Sequence, residues 1–138
     1  MADPYSPPMD PEERLIEIAL DPWVSYTRYA LWFCGVIYFL FGFTMGPLLG
    51  SLMMLDPTMP EGAATFMMVF MTVISLVICG GFAVLNFIAA AGLARGAKWG
   101  WILAVVVGAI YLPSACVPFG AIIMYGMLND RTRKLFMG

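Results

Sequence analysis

Residues 99–129 read WGWILAVVVGAIYLPSACVPFGAIIMYGMLN and carry no charged side chain. A membrane-spanning helix needs about 20 apolar residues to cross roughly 30 Å of hydrocarbon, so the stretch is ample for one span and short for two. Trp99 and Trp101 are expected at a membrane interface, where indole rings are favoured. Pro113 and Pro118 interrupt the stretch, because a proline inside a helix removes a backbone hydrogen bond. The stretch therefore predicts either one kinked span or two short spans joined by a tight turn.

The positions of the basic residues favour the second alternative. Two further charge-free stretches, 29–55 and 62–94, each predict one span. With four spans, the N-terminus, the 94–98 loop and the C-terminus share one side, which then holds all seven Lys and Arg residues. The positive-inside rule makes that side cytoplasmic, whereas three spans would leave the last three basic residues outside. The predicted spans are ~23–52, ~63–93, ~95–112 and ~117–135.

The composition supports a membrane protein and excludes several functions. Of 138 residues, 62% are hydrophobic and 12% are charged, against roughly 45–50% and 25% in soluble domains. The net charge of −2 gives no basic surface for nucleic acid. The chain has no His, and its three cysteines are spaced unlike any metal motif. We therefore expect no catalytic residue, metal or cofactor, and no enzyme activity.

Residues 1–21 predict a cytoplasmic tail that leads into a short amphipathic helix. Asp10 is placed to cap this helix, Pro11 suits its first position, and Asp21-Pro22 ends it after about ten residues. The N-terminus lacks the basic start of a cleavable signal peptide, so the first span is expected to be retained. Because the polar face is acidic, docking on a protein partner is favoured over binding to anionic lipid. The predicted docking residues are Leu15, Ile16, Ala19 and Leu20.

Small residues repeat at helical spacing within the predicted spans, and such stripes allow helices to approach closely in lipid. Two interpretations are open. The stripes hold this chain's own helices together, or one of them, with Gly46 at its centre, docks another chain. The deepest polar side chain, an asparagine, is expected to hydrogen-bond between helices. The predicted packing or docking residues are Gly42, Gly46, Gly50, Asn86, Gly100, Ala104 and Gly108.

The second half of the chain carries a recognisable pattern. Gly92-Leu93 is followed by Trp99, then by Pro118-Phe119-Gly120, and then by a charged tail. Over residues ~85–136 this resembles a group of small uncharacterised bacterial inner-membrane proteins, in which a G-L-x5-W element opens a helical hairpin that turns at P-x-G. Ala121 stands where many of those proteins have Thr after the P-x-G glycine. The resemblance implies a C-terminal hairpin in a bacterial cytoplasmic membrane, and no particular activity.

The sequence thus predicts an all-α integral membrane four-helix bundle, residues 22–138, preceded by a short amphipathic surface helix. The predicted function is that of a non-catalytic accessory or scaffold subunit of a larger bacterial membrane complex, with other membrane subunits and lipid as partners. The alternative is a small transporter or channel component that acts as a homo-oligomer. Its polar path would have to use Thr72, Ser75 and Asn86.

Overall fold

The computed structural model describes residues 9–55, 58, 60–114 and 116–137. All regular structure within these residues is α-helical, which confirms the predicted all-α class. The predicted N-terminal tail, residues 1–8, lies outside the described residues. The helices are α1 (Pro11–Leu20), α2 (Pro22–Met53), α3 (Glu61–Ala94), α4 (Lys98–Tyr111), α5 (Val117–Leu128) and α6 (Asp130–Met137).

Two Asp-Pro pairs, Asp10-Pro11 and Asp21-Pro22, determine where α1 and α2 begin. A carboxylate oxygen of Asp10 accepts a hydrogen bond from the Glu12 backbone N–H, and Pro11 is the first helical residue. Asp21 is extended, with φ −71° and ψ 116°, because the following proline disfavours helical backbone before it. Its Oδ1 atom accepts a 2.9 Å hydrogen bond from the backbone N–H of Trp23. The predicted end of α1 and start of α2 are both confirmed.

The two longest helices have the dimensions of membrane spans. α2 has 32 residues and α3 has 34, and α2 stays helical through Pro47. By length and composition, Pro22–Met53 and Gly62–Ala94 are each long and apolar enough to cross a membrane. The coarser prediction of a membrane protein is supported by these two helices.

The last two predicted spans are shorter than the sequence indicated. α4 has 14 residues and α5 has 12, whereas the predicted spans ~95–112 and ~117–135 have 18 and 19. The predicted fourth span is divided at Asn129, whose backbone is extended at φ −60° and ψ 133°. Its side-chain Oδ1 accepts from the backbone N–H of Arg131 at 3.4 Å. Asn129 therefore acts as the N-cap of a separate helix, α6.

The chain divides into two compact units. Unit 1 comprises residues 1–31 and 88–138, and its described part contains α1, α4, α5 and α6 with one end of each long helix. Within unit 1, α4 and α5 pack side by side, and α6 contacts α1, α4 and α5. Unit 2 comprises Trp32–Phe87, the remaining lengths of α2 and α3.

Candidate interaction surface

The glycine stripe of α2 packs against α3 within unit 2. A Cβ atom on Gly46 would lie 2.6 Å from the Cα of Thr72, and one on Gly42 would lie 2.9 Å from the Cβ of Cys79. A Cβ on Gly50 would overlap the side chain of Met68. No real Cβ atom fits at such distances, so these glycines permit close contact between the two helices. The stripe is thus used inside the chain.

The polar side chains of α3 donate to backbone carbonyls. The Thr72 hydroxyl donates to the Met68 carbonyl oxygen at 2.8 Å, and the Ser75 hydroxyl donates to that of Gly42 at 3.4 Å. The Asn86 amide donates to the Phe82 carbonyl oxygen at 2.7 Å, and the Asn86 side chain is buried. The Ser75 bond joins α3 to α2, whereas Thr72 and Asn86 donate to the carbonyl four residues earlier in α3 itself. The Asn86 amide bond is therefore intrahelical and not the interhelical bond expected from the sequence.

Small residues also pack unit 1. Gly100 lies directly against the backbone of Gly92, which joins the end of α3 to the start of α4. A Cβ on Gly108 would lie 2.8 Å from Cγ2 of Ile123 on α5, and Ala104 between these contacts is fully buried. The predicted packing residues of α4 therefore line contacts within the unit. The sequence reasoning did not select Gly92 as a packing residue.

The amphipathic helix α1 buries a different residue from those predicted to dock. Ile18 is only 3% exposed and reaches Gly96, as does the Cδ2 atom of Leu15. Gly96 follows α3 with φ +62°, a left-handed conformation that suits glycine. Of the predicted docking residues, Leu15 thus has an intramolecular contact although it remains exposed. The other three, Ile16, Ala19 and Leu20, are exposed.

Asp21 connects the start of α2 to α6. Its Oδ2 lies 3.8 Å from Nε of Arg131, whose side chain is 71% exposed, whereas Asp21 is buried.

Further along α2, Gly126 of α5 lies over Thr27, because a Cβ on the glycine would be 2.9 Å from the threonine Oγ1. Neither Gly126 nor Thr27 was selected from the sequence, since isolated small residues give no periodic signal.

An aromatic group surrounds the same end of α2. The ring of Trp23 packs edge-on against Tyr125, with ring centroids 4.9 Å apart, and against Tyr26 at 6.2 Å. The guanidinium of Arg28 lies 5.8 Å from the ring centroid of Tyr29. Tyr26, Tyr29 and Tyr125 are exposed. All seven basic residues of the chain also belong to unit 1. Tyrosine, tryptophan and basic residues together are typical of a membrane–water interface.

Trp101 differs from its predicted interfacial position. It is only 8% exposed, and its indole N–H donates to the backbone carbonyl oxygen of Met127 at 2.9 Å. Trp99, two residues earlier, is 49% exposed. The two indoles lie on different faces of α4, so only Trp99 remains available to an interface.

Unit 2 exposes large apolar side chains along both of its helices. Those of α2 include Phe39, Leu40 and Phe43, and those of α3 include Phe66 and Val77. Soluble monomers rarely expose contiguous apolar patches of more than a few hundred Å². We define this surface, the exposed apolar side chains of residues 36–52 and 66–85, as the apolar surface of unit 2.

Among the described residues, no group of three or more His, Cys, Asp or Glu side chains is placed to hold a metal ion. No family model, curated protein or solved structure matches the chain.

Proposed function

We propose that the protein is a multi-pass membrane protein of the bacterial cytoplasmic membrane that serves as a non-catalytic accessory or scaffold subunit of a larger complex. In this proposal both termini are cytoplasmic, and the apolar surface of unit 2 contacts lipid and the helices of partner subunits. The observation that carries the proposal is the exposure of that surface on two helices long enough to cross a bilayer.

The glycine contacts support a scaffold that folds on its own before it meets a partner. Gly42, Gly46 and Gly50 pack against α3 of the same chain, which favours the interpretation that this stripe holds the chain's own helices together. What remains on the outside is a set of large side chains, with Phe43 and Phe66 among the most exposed aromatics. Partner helices would therefore pack against bulky apolar residues in this proposal.

The distribution of charge supports the proposed orientation. Unit 1 contains every Lys and Arg of the chain, together with the aromatic group around Trp23. α2 has 32 residues, which at 1.5 Å per residue is about 48 Å, longer than the roughly 30 Å of hydrocarbon. The first turns of α2 can thus extend into the headgroup layer, where Trp23 and Arg28 are favoured.

The alternative of a transporter or channel component gains no support from the polar residues of α3. The side-chain donors of Thr72, Ser75 and Asn86 are directed to backbone carbonyls. Transport sites of membrane proteins use convergent polar groups and broken helices instead.

Purification from the native membrane in a mild detergent tests the proposal. We expect the tagged full-length chain to elute as part of a hetero-complex, and mass measurement of the eluate should identify reproducible partner subunits. Substitution of exposed residues, F43A with F66A, should reduce partner recovery while the thermal stability of the isolated chain is retained. A matched pair on the exposed face of α1, I16A with L20A, tests the predicted docking helix separately. Elution of the chain alone, as a monomer or a homo-oligomer, would contradict the accessory role.

A further inference from the structure

We infer that the tip of the α4–α5 hairpin ends inside the hydrocarbon layer and contacts lipid acyl chains, instead of reaching water on the outer side. The tip comprises residues 112–114 and 116–118. The inference rests on the proposed membrane location, and it replaces the last two full spans of the predicted topology with a hairpin that enters and leaves on the cytoplasmic side.

The first argument is the length of the two helices. α4 has 14 residues and α5 has 12, which correspond to about 21 and 18 Å at 1.5 Å per residue. The hydrocarbon layer is roughly 30 Å thick. Helices of this length that start at the inner boundary of the hydrocarbon layer end about 10 Å short of its outer boundary.

The second argument is that charged residues set the membrane depth of the opposite end of the hairpin, where α4 begins and α5 ends. Lys98 is the first residue of α4, Asp130 follows α5 after a single residue, and both are exposed. A lysine can extend its long side chain toward the headgroups, but an aspartate is too short to do so. Placing the tip in outer water would therefore draw the Asp130 carboxylate into hydrocarbon.

The third argument is the hydrogen bonding of the turn. The Ser114 hydroxyl donates to the Tyr111 carbonyl oxygen at 2.8 Å and accepts from the Cys116 backbone N–H at 3.2 Å. The Ser114 backbone N–H also donates to the Tyr111 carbonyl oxygen, at 3.1 Å. Pro113 and Pro118 have no backbone N–H to satisfy. The turn thus pairs the Ser114 hydroxyl and the Cys116 N–H internally, and backbone in lipid requires such pairing.

The side chains of the tip are suited to the same environment. Leu112 is 41% exposed and Val117 is 49% exposed, and neither the tip nor the helices leading to it carry a charge beyond Lys98. Below the tip, a Cβ on Gly120 would lie 3.0 Å from the carbonyl oxygen of Gly108. The helices therefore stay closely packed up to the turn, which presents a narrow apolar end to lipid.

Cysteine labelling with a membrane-impermeant maleimide tests the inference. The first protein, C34S/C79S, keeps only Cys116 at the tip. The second, C34S/C79S/C116S/V117C, places the thiol on the exposed neighbour. The control, C34S/C79S/C116S/T58C, places it in the loop between α2 and α3. Each is labelled in intact cells, in inside-out vesicles and after denaturation in SDS.

We expect the T58C protein to label from the outer side only. Both tip cysteines should stay unlabelled from either side and label at least tenfold faster after denaturation in SDS. Labelling of either tip cysteine in intact cells at a rate near that of T58C would overturn the inference. Labelling of either tip cysteine in inside-out vesicles would also overturn it, because the tip would then reach water on the inner side. If T58C itself labels from neither side, the proposed membrane topology fails, and the inference fails with it.

Discussion

The indole N–H of Trp101 donates a 2.9 Å hydrogen bond to the backbone carbonyl oxygen of Met127, 26 residues later in the chain. Met127 lies in the last turn of α5, where carbonyl groups have no partner within the helix. α5 ends one residue later because Asn129 is extended. Trp101 thus takes the place of the backbone donor that a longer helix would have supplied.

Replacing Trp101 with phenylalanine should destabilise the protein by about 1–3 kcal/mol, because a buried carbonyl oxygen loses its donor while most of the ring packing is kept. The measurement is the thermal unfolding midpoint in detergent. W99F is the matched control, since Trp99 is 49% exposed and its change should leave the midpoint nearly unaltered. Equal midpoints for the two variants would show that the hydrogen bond does not contribute.

Adding one methyl group to Gly46 should destabilise unit 2. The Cβ of G46A would lie 2.6 Å from backbone of α3, and the helices must separate or shift to accept it. Overpacking of this kind costs roughly 1–3 kcal/mol. G80A is the control, because no atom lies within 4 Å of a Cβ at Gly80. A lower unfolding midpoint is expected for G46A alone, and an unchanged one would show that α2 and α3 do not approach as described.

Alanine at Gly96 should release α1 from unit 1. The residue has φ +62°, which costs a side-chain-bearing residue about 1–2 kcal/mol, and the added methyl would lie 2.9 Å from Leu15. Cleavage by trypsin after Arg14 reports the release, and the rate should rise several-fold in G96A. G62A serves as the control, since its Cβ meets nothing within 4 Å. Similar cleavage rates for both would contradict docking of α1 at Gly96.

Substitutions at Asp21 should separate its capping role from its negative charge. D21A removes the acceptor for the Trp23 N–H and should cost about 0.5–2 kcal/mol. D21N keeps a capping oxygen and loses the negative charge, which pairs with the 71% exposed Arg131 side chain at 3.8 Å and lies at the N-terminus of α2; this loss should cost less than about 1 kcal/mol. Unfolding midpoints should fall in the order wild type, D21N, D21A. A D21N protein as unstable as D21A would assign the main contribution to the negative charge.

The caps could be predicted from the sequence because their chemistry is local. Asp10 and Asp21 each precede a proline at the first helical position, and both act as predicted. Gly46 could also be predicted as a close-contact residue from its spacing. The sequence could not say that the contact partner is α3 of the same chain, since a small-residue stripe accommodates any helix equally well.

The division of the last predicted span was missed for an identifiable reason. Asn129 follows a long apolar stretch, and the positive-inside argument required a span that continued to the basic residues beyond it. Asn129 followed by Asp130 is nonetheless a helix-start signal of the kind used correctly at Asp10. Ile18 was missed because its burial depends on Gly96, 78 residues away. A contact between residues so far apart in the sequence produces no periodic pattern of residue types in either segment.

Unit 1 is built from two segments that are distant in the sequence, and this determines when its contacts can form during translation. Its described residues come from both ends of the chain, so Ile18 meets Gly96 only after α3 has been translated, and Asp21 meets Arg131 only after α6 has begun. Chains are made from the N-terminus at about 5–20 residues per second, and α1 therefore waits several seconds without its partners. A nascent chain arrested before α6 would leave Asp21 without the Arg131 guanidinium. The finished protein, by contrast, buries the Ile18 side chain and the Asp21 carboxylate.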